Sequence, residues 1–178
     1  MPIDEEPTVE SRRIYEGRII NVREDTVRLA SGKLARREIV EHGEVICVVP
    51  VDDSGNVLLV EQYRKAAGQR LLEVAAGGIE EGESPEQATL RELQEEVGVT
   101  AGKLQYLSTF WLTPGFSTEK MHGFLATDLR PSRLKPDADE DVRVVSVPME
   151  KVFDYIKDLR ICDAKSIAML LWVLKLRG

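Results

Sequence analysis

Residues 77–98 read GGIEEGESPEQATLRELQEEVG and place seven glutamates in 22 positions, with a glycine at each end. Ser84-Pro85-Glu86-Gln87 is a strong helix start. Ser84 suits the N-cap, Pro85 the first helical position, and Gln87 can close a capping box. Gly98 fits the left-handed residue that commonly ends a helix, so the spacing predicts a helix over 85–97. At helical periodicity Leu90, Leu93 and Val97 share one sector and should face a core. Glu92, Glu95 and Glu96 cluster roughly opposite, and Arg91 stands beside Glu95 at i,i+4. Like charges four apart, as at Glu92 and Glu96, destabilise a helix mildly unless a cation sits between them. Hard cations such as Mg²⁺ prefer carboxylate oxygens. On helix geometry alone, a solvated acidic face is the favoured reading of this run, ahead of a metal site.

The rest of the chain narrows the choice. With 178 residues there is room for one domain plus an additional lobe. A net charge of −7 disfavours nucleic-acid and anionic-membrane partners. The N-terminal MPIDEEPTVESRR has no apolar signal-peptide region, and the longest apolar run, IAMLLWVL, is too short to span a bilayer. Cys47 and Cys162 have no metal or disulfide spacing, so a reducing cytoplasm is the simplest expected setting. His42 and His122 are the only histidines, which excludes multi-histidine metal sites, and no serine or cysteine stands in a nucleophile motif. Acidic residues are the chemistry this chain offers.

Before residue 44 the pattern is of short alternating strands, RRIYEGRII, EDTVRLA and KLARREIVEH, too charged to make a core of their own. EVICVVPV then reads as a strand buried on both faces. With the DDSGN turn and VLLVEQY it predicts a hairpin over 45–63. LLEVA, LQYLSTFW, MHGFLATDL and VRVVSVP read as further strands. PMEKVFDYIKD has helical spacing, and AKSIAMLLWVLKL reads as a largely buried helix. The expected fold class is α/β, a mixed sheet sandwiched between helices. The expected division is an N-terminal β lobe over 1–43 and a main domain over 44–178.

Spacing, beyond composition, decides between the two readings of the acidic run. The order Gly77-x5-Glu83-x7-Arg91-Glu92-Leu93-x-Glu95-Glu96-x-Gly98-Val99 matches the Nudix box, G-x5-E-x7-R-E-U-x-E-E-x-G-U with U aliphatic, at all nine fixed positions. The chain thus resembles the Nudix hydrolases, and the strand pattern over roughly 44–160 is consistent with their α/β/α sandwich. The resemblance implies hydrolysis of a nucleoside diphosphate linked to another moiety, with Mg²⁺ as cofactor and Mn²⁺ able to substitute. It implies Glu92 and Glu96 as principal metal ligands, Glu95 assisting, the Ala76 carbonyl as a further ligand, and Arg91 and Glu83 as the residues that orient them.

Three flanking features resemble the ADP-ribose pyrophosphatase branch. Pro114 lies 16 residues after Gly98, inside TPGFSTEK, which also holds Gly115. LLEVAAGGIEEGE resembles the branch's E-L-P-A-G-x-I-E-x-G-E, with Ala75 in place of its proline. VEQYR puts Arg64 where related enzymes hold substrate phosphates, a role suited to a planar guanidinium; a surface ion pair is the alternative. The Gly17–Ile20 stretch, GRII, also resembles the branch, which implies Arg18 and Ile19 against an adenine across a homodimer interface built partly by the N-terminal strands. For Ile19 plain core packing stays open. Gly77 and Glu80 are expected to border the substrate. Glu119 is expected at the terminal ribose, or is an ordinary loop carboxylate. For the base that takes the proton from water, Glu140 in PDADEDVRVV is the candidate, against a solvated loop tip.

The expected activity is Mg²⁺-dependent hydrolysis of ADP-ribose to AMP and ribose 5-phosphate by a cytoplasmic homodimer that binds neither nucleic acid nor membrane. Within enzymes the alternative is another nucleoside diphosphate sugar or dinucleotide, such as a UDP-sugar, FAD or a diadenosine polyphosphate. From another class, the alternative is a non-catalytic nucleotide sensor, which the intact set of glutamates disfavours.

Overall fold

A computed structural model of the chain describes residues 5–135 and 141–177. They form two units, Met1–Glu44 with Trp111–Lys120, and Val45–Phe110 with Met121–Gly178.

In the first unit, β1 (Thr8–Glu16), β2 (Ile20–Arg28) and β3 (Leu34–His42) form an antiparallel sheet in that order. The single strand expected over RRIYEGRII is broken at residues 17–19. Gly17 N–H bonds Ile20 O and Asn21 Oδ1, closing a turn. Charge pairing across the strands takes the place of an apolar core: Arg37 forks onto Glu6, and Arg13 pairs with Glu41. Trp111–Lys120 docks on the open edge of β3. Val40 N–H bonds Phe116 O, Thr118 N–H bonds Val40 O, and His42 N–H bonds Thr118 Oγ1.

In the second unit the apolar run after Glu44 becomes β4 (Val45–Pro50), buried at every position. The hairpin expected over 45–63 is not formed. β4 lies in a four-stranded mixed sheet, between β7 (Ala75–Gly78) and the parallel β9 (Lys120–Pro131), with β8 (Val99–Trp111) outermost. β5 (Asn56–Arg64) instead pairs with β6 (Gln69–Glu73) and β10 (Arg143–Pro148) in a separate antiparallel sheet. Only a bridge between Val51 and Val57 joins the two runs. The turn is present, with Asp52 Oδ1 accepting from Ser54 and Asn56, but each strand finds larger apolar partners elsewhere.

Helices cover both faces of β4, which is why it carries no polar face. On one side Ile46 and Val48 pack with Ala88, Leu93 and Val97. On the other lies α3 (Ala164–Arg177), whose Met169 presses on Gly123 so closely that a Cβ there would meet its sulfur at 2.5 Å. This is the expected α/β/α layering. The expectation that the last helix is largely buried holds for one face, Met169, Leu170 and Val173, while Leu171, Trp172 and Leu176 are exposed. A short helix, α2 (Val152–Lys157), precedes it.

The glutamate-rich segment forms α1 (Pro85–Glu92), with the predicted capping box in place: Gln87 N–H to Ser84 Oγ at 3.2 Å and Ser84 N–H to Gln87 Oε1 at 2.8 Å. The last turn differs from expectation. Leu93–Val97 is a π turn, closed by Gly98 N–H to Leu93 O, and Gly98 adopts φ +81°. Such a turn inserts an extra residue and shifts the helical register of the residues beyond it. Leu93 remains fully buried, worth about 1.5–3 kcal/mol of apolar transfer, and anchors the segment.

Candidate active site

Glu92 and Glu96 are 7 % and 4 % exposed, so the solvated acidic face is ruled out. Carboxylates are almost never buried without partners. The partners here come from β7 and from Arg91. Glu96 Oε2 accepts the Ala76 N–H at 3.1 Å. β7 is an edge strand, and a strand residue points its N–H and C=O to the same side, so the Ala76 carbonyl also lies on that edge. Glu92 stands over Gly77, where a Cβ would fall 1.8 Å from its Oε1.

Arg91 gathers the remaining carboxylates. Its Nε and Nη2 fork onto Glu83 at 3.0 Å each, and Nη1 reaches Glu92 at 2.7 Å and Glu95 at 3.0 Å. Nη2 also donates to Gly78 O at 2.8 Å. Glu80 stands at the rim, 4.0 Å from the guanidinium, and its N–H bonds Glu83. The Glu83 hydrogen bond raises the Arg91 pKa, with Glu92 and Glu95 adding to it, and the same contact holds the Glu83 carboxyl below its usual range. Four carboxylates, Glu80, Glu83, Glu92 and Glu95, thus stand around one guanidinium and leave an excess of negative charge there.

Among the described residues no three His, Cys, Asp or Glu side chains stand as a ready-made metal cage, because Arg91 occupies the centre of the group. The donor chemistry nevertheless fits a hard divalent cation. Glu92, Glu95, Glu96 and the Ala76 carbonyl offer only oxygens, and Gly77 clears the space against which Glu92 packs. The Cys47 thiol is buried, and that burial pushes it up to about 12.

Arg64 stands at the end of β5. Its Nε and Nη2 fork onto Glu73 at 2.9 Å each, while the side chain stays 41 % exposed. The hydrogen bond to Glu73 raises its pKa, and the charge of Glu96 acts in the same direction, so Arg64 lies within the field of the carboxylate group. Glu73 is 1 % exposed and also pairs with Lys165. Sequence reading missed Glu73, Asp163 and Lys165. No motif spacing links residues 92 positions apart, and only the docking of α3 on β6–β7 brings them together.

A profile of the NUDIX domain matches residues 41–170, and one of the nucleoside diphosphate sugar hydrolase N-terminal domain matches residues 6–40. The chain belongs to the Nudix family. An ADP-ribose pyrophosphatase of Bacillus subtilis (strain 168) is 38 % identical over 164 residues, covering 91 % of this chain and 89 % of that protein. A methanol dehydrogenase activator of Bacillus methanolicus is 34 % identical over 165 residues, covering 92 % and 89 %. Among solved structures, one described as an ADP compounds hydrolase matches with a TM-score of 0.90 at 26 % identity, covering 100 % of this chain and 98 % of that one.

Ala76, the Nudix box and Arg64 lie in the second unit; Arg18, Ile19, Pro114, Gly115 and Glu119 lie in the first. Arg18 and Ile19 form the β1–β2 turn, and Ile19 is 66 % exposed, so core packing within the chain does not explain it. Pro114 and Gly115 line a cleft of about 410 Å³ with Trp111, Phe116, Arg23 and Arg37. Glu119 follows, its N–H bonded to Ser117 Oγ. Glu140 falls outside the described residues. No helix among the described residues is long and apolar enough to cross a membrane.

Proposed function

We propose that this Nudix enzyme hydrolyses the pyrophosphate bond of ADP-ribose, adding water to release AMP and ribose 5-phosphate. The observation that carries the chemistry is the pair of buried carboxylates, Glu92 and Glu96, held on the Ala76–Gly77 edge of β7. The choice of substrate draws its support from the names of the relatives and from Pro114, Arg64 and the N-terminal sheet.

Glu92, Glu96 and the Ala76 carbonyl would hold Mg²⁺, with Glu95 assisting. When bound, the cation neutralises pyrophosphate charge and lowers the pKa of an attacking water. Arg91 and Glu83 keep the glutamates in place and limit their rotation. Arg64 anchors a substrate phosphate with the guanidinium edge outside its pair with Glu73. Gly77 and Glu80 border the substrate, Pro114, Gly115 and Glu119 serve the terminal ribose, and Glu140 takes the proton from water. Arg18 and Ile19, exposed at a turn, would contact the adenine of a substrate bound to a second copy in a cytoplasmic homodimer.

The test is a panel with purified protein and Mg²⁺: ADP-ribose, UDP-glucose, FAD, NAD⁺ and diadenosine tetraphosphate, with products resolved by chromatography. Rapid release of AMP from ADP-ribose is expected. Preferential consumption of another compound would overturn the substrate assignment, and tight binding without turnover of any would favour a sensor.

A further inference from the structure

We propose that Lys165, in the first turn of α3, is a positioning residue that sets the Arg64 guanidinium for a substrate phosphate by way of Glu73. This rests on the reading of Arg64 as the phosphate anchor.

The four side chains form a relay from helix to sheet. Lys165 Nζ donates to Asp163 Oδ2 at 2.8 Å and to Glu73 Oε2. Glu73 Oε2 also accepts from Arg64 Nη2, and Glu73 Oε1 from Arg64 Nε. The Lys165 side chain is 11 % exposed and Glu73 1 %, so two charges are withdrawn from water just behind a partly exposed guanidinium. Burying an ammonium and a carboxylate is costly before pairing, and a hydrophobic pair often serves stability as well.

The helix does not need Lys165 in order to dock. Ser166 Oγ accepts the Val74 N–H at 2.9 Å in a fully buried contact, Asp163 caps the first turn through Ser166 N–H, and Met169, Leu170 and Val173 supply apolar burial. What Lys165 adds is control of one carboxylate. With both oxygens of Glu73 held by Arg64 and Oε2 held from behind by Lys165 as well, its plane is fixed, and with it the plane of the Arg64 fork. Lys165 also takes up part of the carboxylate charge that Arg64 would otherwise spend, so more of the guanidinium field reaches a phosphate. Because β7 and its Ala76–Glu96 contact come directly after Glu73, the relay ends beside the carboxylate group.

The experiment combines kinetics with a spectroscopic readout. In K165M, KM for the preferred substrate of the panel should rise roughly tenfold, the size of one charge-assisted hydrogen bond, with kcat little changed. K165R should recover most of the loss. In an R64A background the K165M effect on KM should vanish, since Lys165 acts through Arg64. The ¹⁵N–¹Hε signal of Arg64, assigned by its disappearance in R64A, should be sharp and protected in the wild type and broadened in K165M. Equal KM in K165M and wild type, or the same fold increase with and without Arg64, would overturn the proposal. Were no compound of the panel hydrolysed, the proposed function would fail. The Arg64 signal would still decide the relay: unchanged sharpness in K165M overturns it. Thermal unfolding of each variant separates these outcomes from loss of fold.

Discussion

The Glu92 carboxylate occupies the space where any side chain at position 77 would begin. Gly77 has an ordinary backbone conformation, so close approach, and not a left-handed φ, demands glycine. Gly77→Ala should force Glu92 off the β7 edge, at about 1–3 kcal/mol of strain. Activity should fall on the order of a hundredfold, as expected when a catalytic group shifts by about an ångström. Wild-type kcat/KM in G77A would refute this placement of Glu92.

Arg91→Lys keeps a positive charge but loses the fork that serves Glu83, Glu92, Glu95 and Gly78 O together. Urea unfolding should show a loss of about 1–3 kcal/mol, and activity should drop with it. A variant as stable and as active as the wild type would mean that charge alone suffices there.

Glu96→Gln retains an oxygen to accept the Ala76 N–H, so the fold should persist. A cation that binds only the folded state raises the melting temperature. Mg²⁺ should therefore stabilise the wild type and do so far less in E96Q, while turnover falls at least roughly a hundredfold. An unchanged Mg²⁺ shift in E96Q would remove Glu96 from the ligand set.

Stability should depend on pH through Glu73. Burial pushes its carboxyl up, but the Arg64 hydrogen bond and the Lys165 charge outweigh this and leave it below the ordinary value. A depressed folded-state pKa gives stability that is complete above the unfolded value, about 4.3, and is lost as pH falls through the folded one. Glu83, held down by Arg91, acts with the same sign. Unfolding free energy should be level near neutrality and fall below about pH 4.5. The fall should be shallower in E73Q. An equally steep fall in E73Q would show that Glu73 does not carry the linkage.

Glu140→Gln should slow the chemical step and leave KM nearly unchanged. Glu119→Gln should raise KM more than it lowers kcat. Reversed effects, measured by single-turnover and steady-state kinetics, would exchange the two assignments.

The helix start and its end were legible because both are local. Ser84 and Gln87 satisfy each other's backbone three residues apart, and Gly98 takes the left-handed conformation that its lack of a Cβ permits. The burial of Glu92 and Glu96 was not legible from helical periodicity, because β7, well earlier in the chain, covers both and supplies the Glu96 partner, and because a π turn shifts the register at Glu96. The hairpin over 45–63 failed for a related reason. A good turn joins two good strands, yet Ile46 and Val48 gain more by packing under α1, and Val60 pairs with Glu73 of β6.

By itself the sequence determined the family, the carboxylate-rich chemistry and the α/β class, because motif spacing and apolar runs are properties of neighbouring residues. Tertiary structure alone decided which glutamates leave water, that Arg91 sits at their centre, and that Lys165 reaches Arg64 through Glu73. Those outcomes depend on which segments meet, and a buried charge is tolerated only where a distant part of the chain brings its partner.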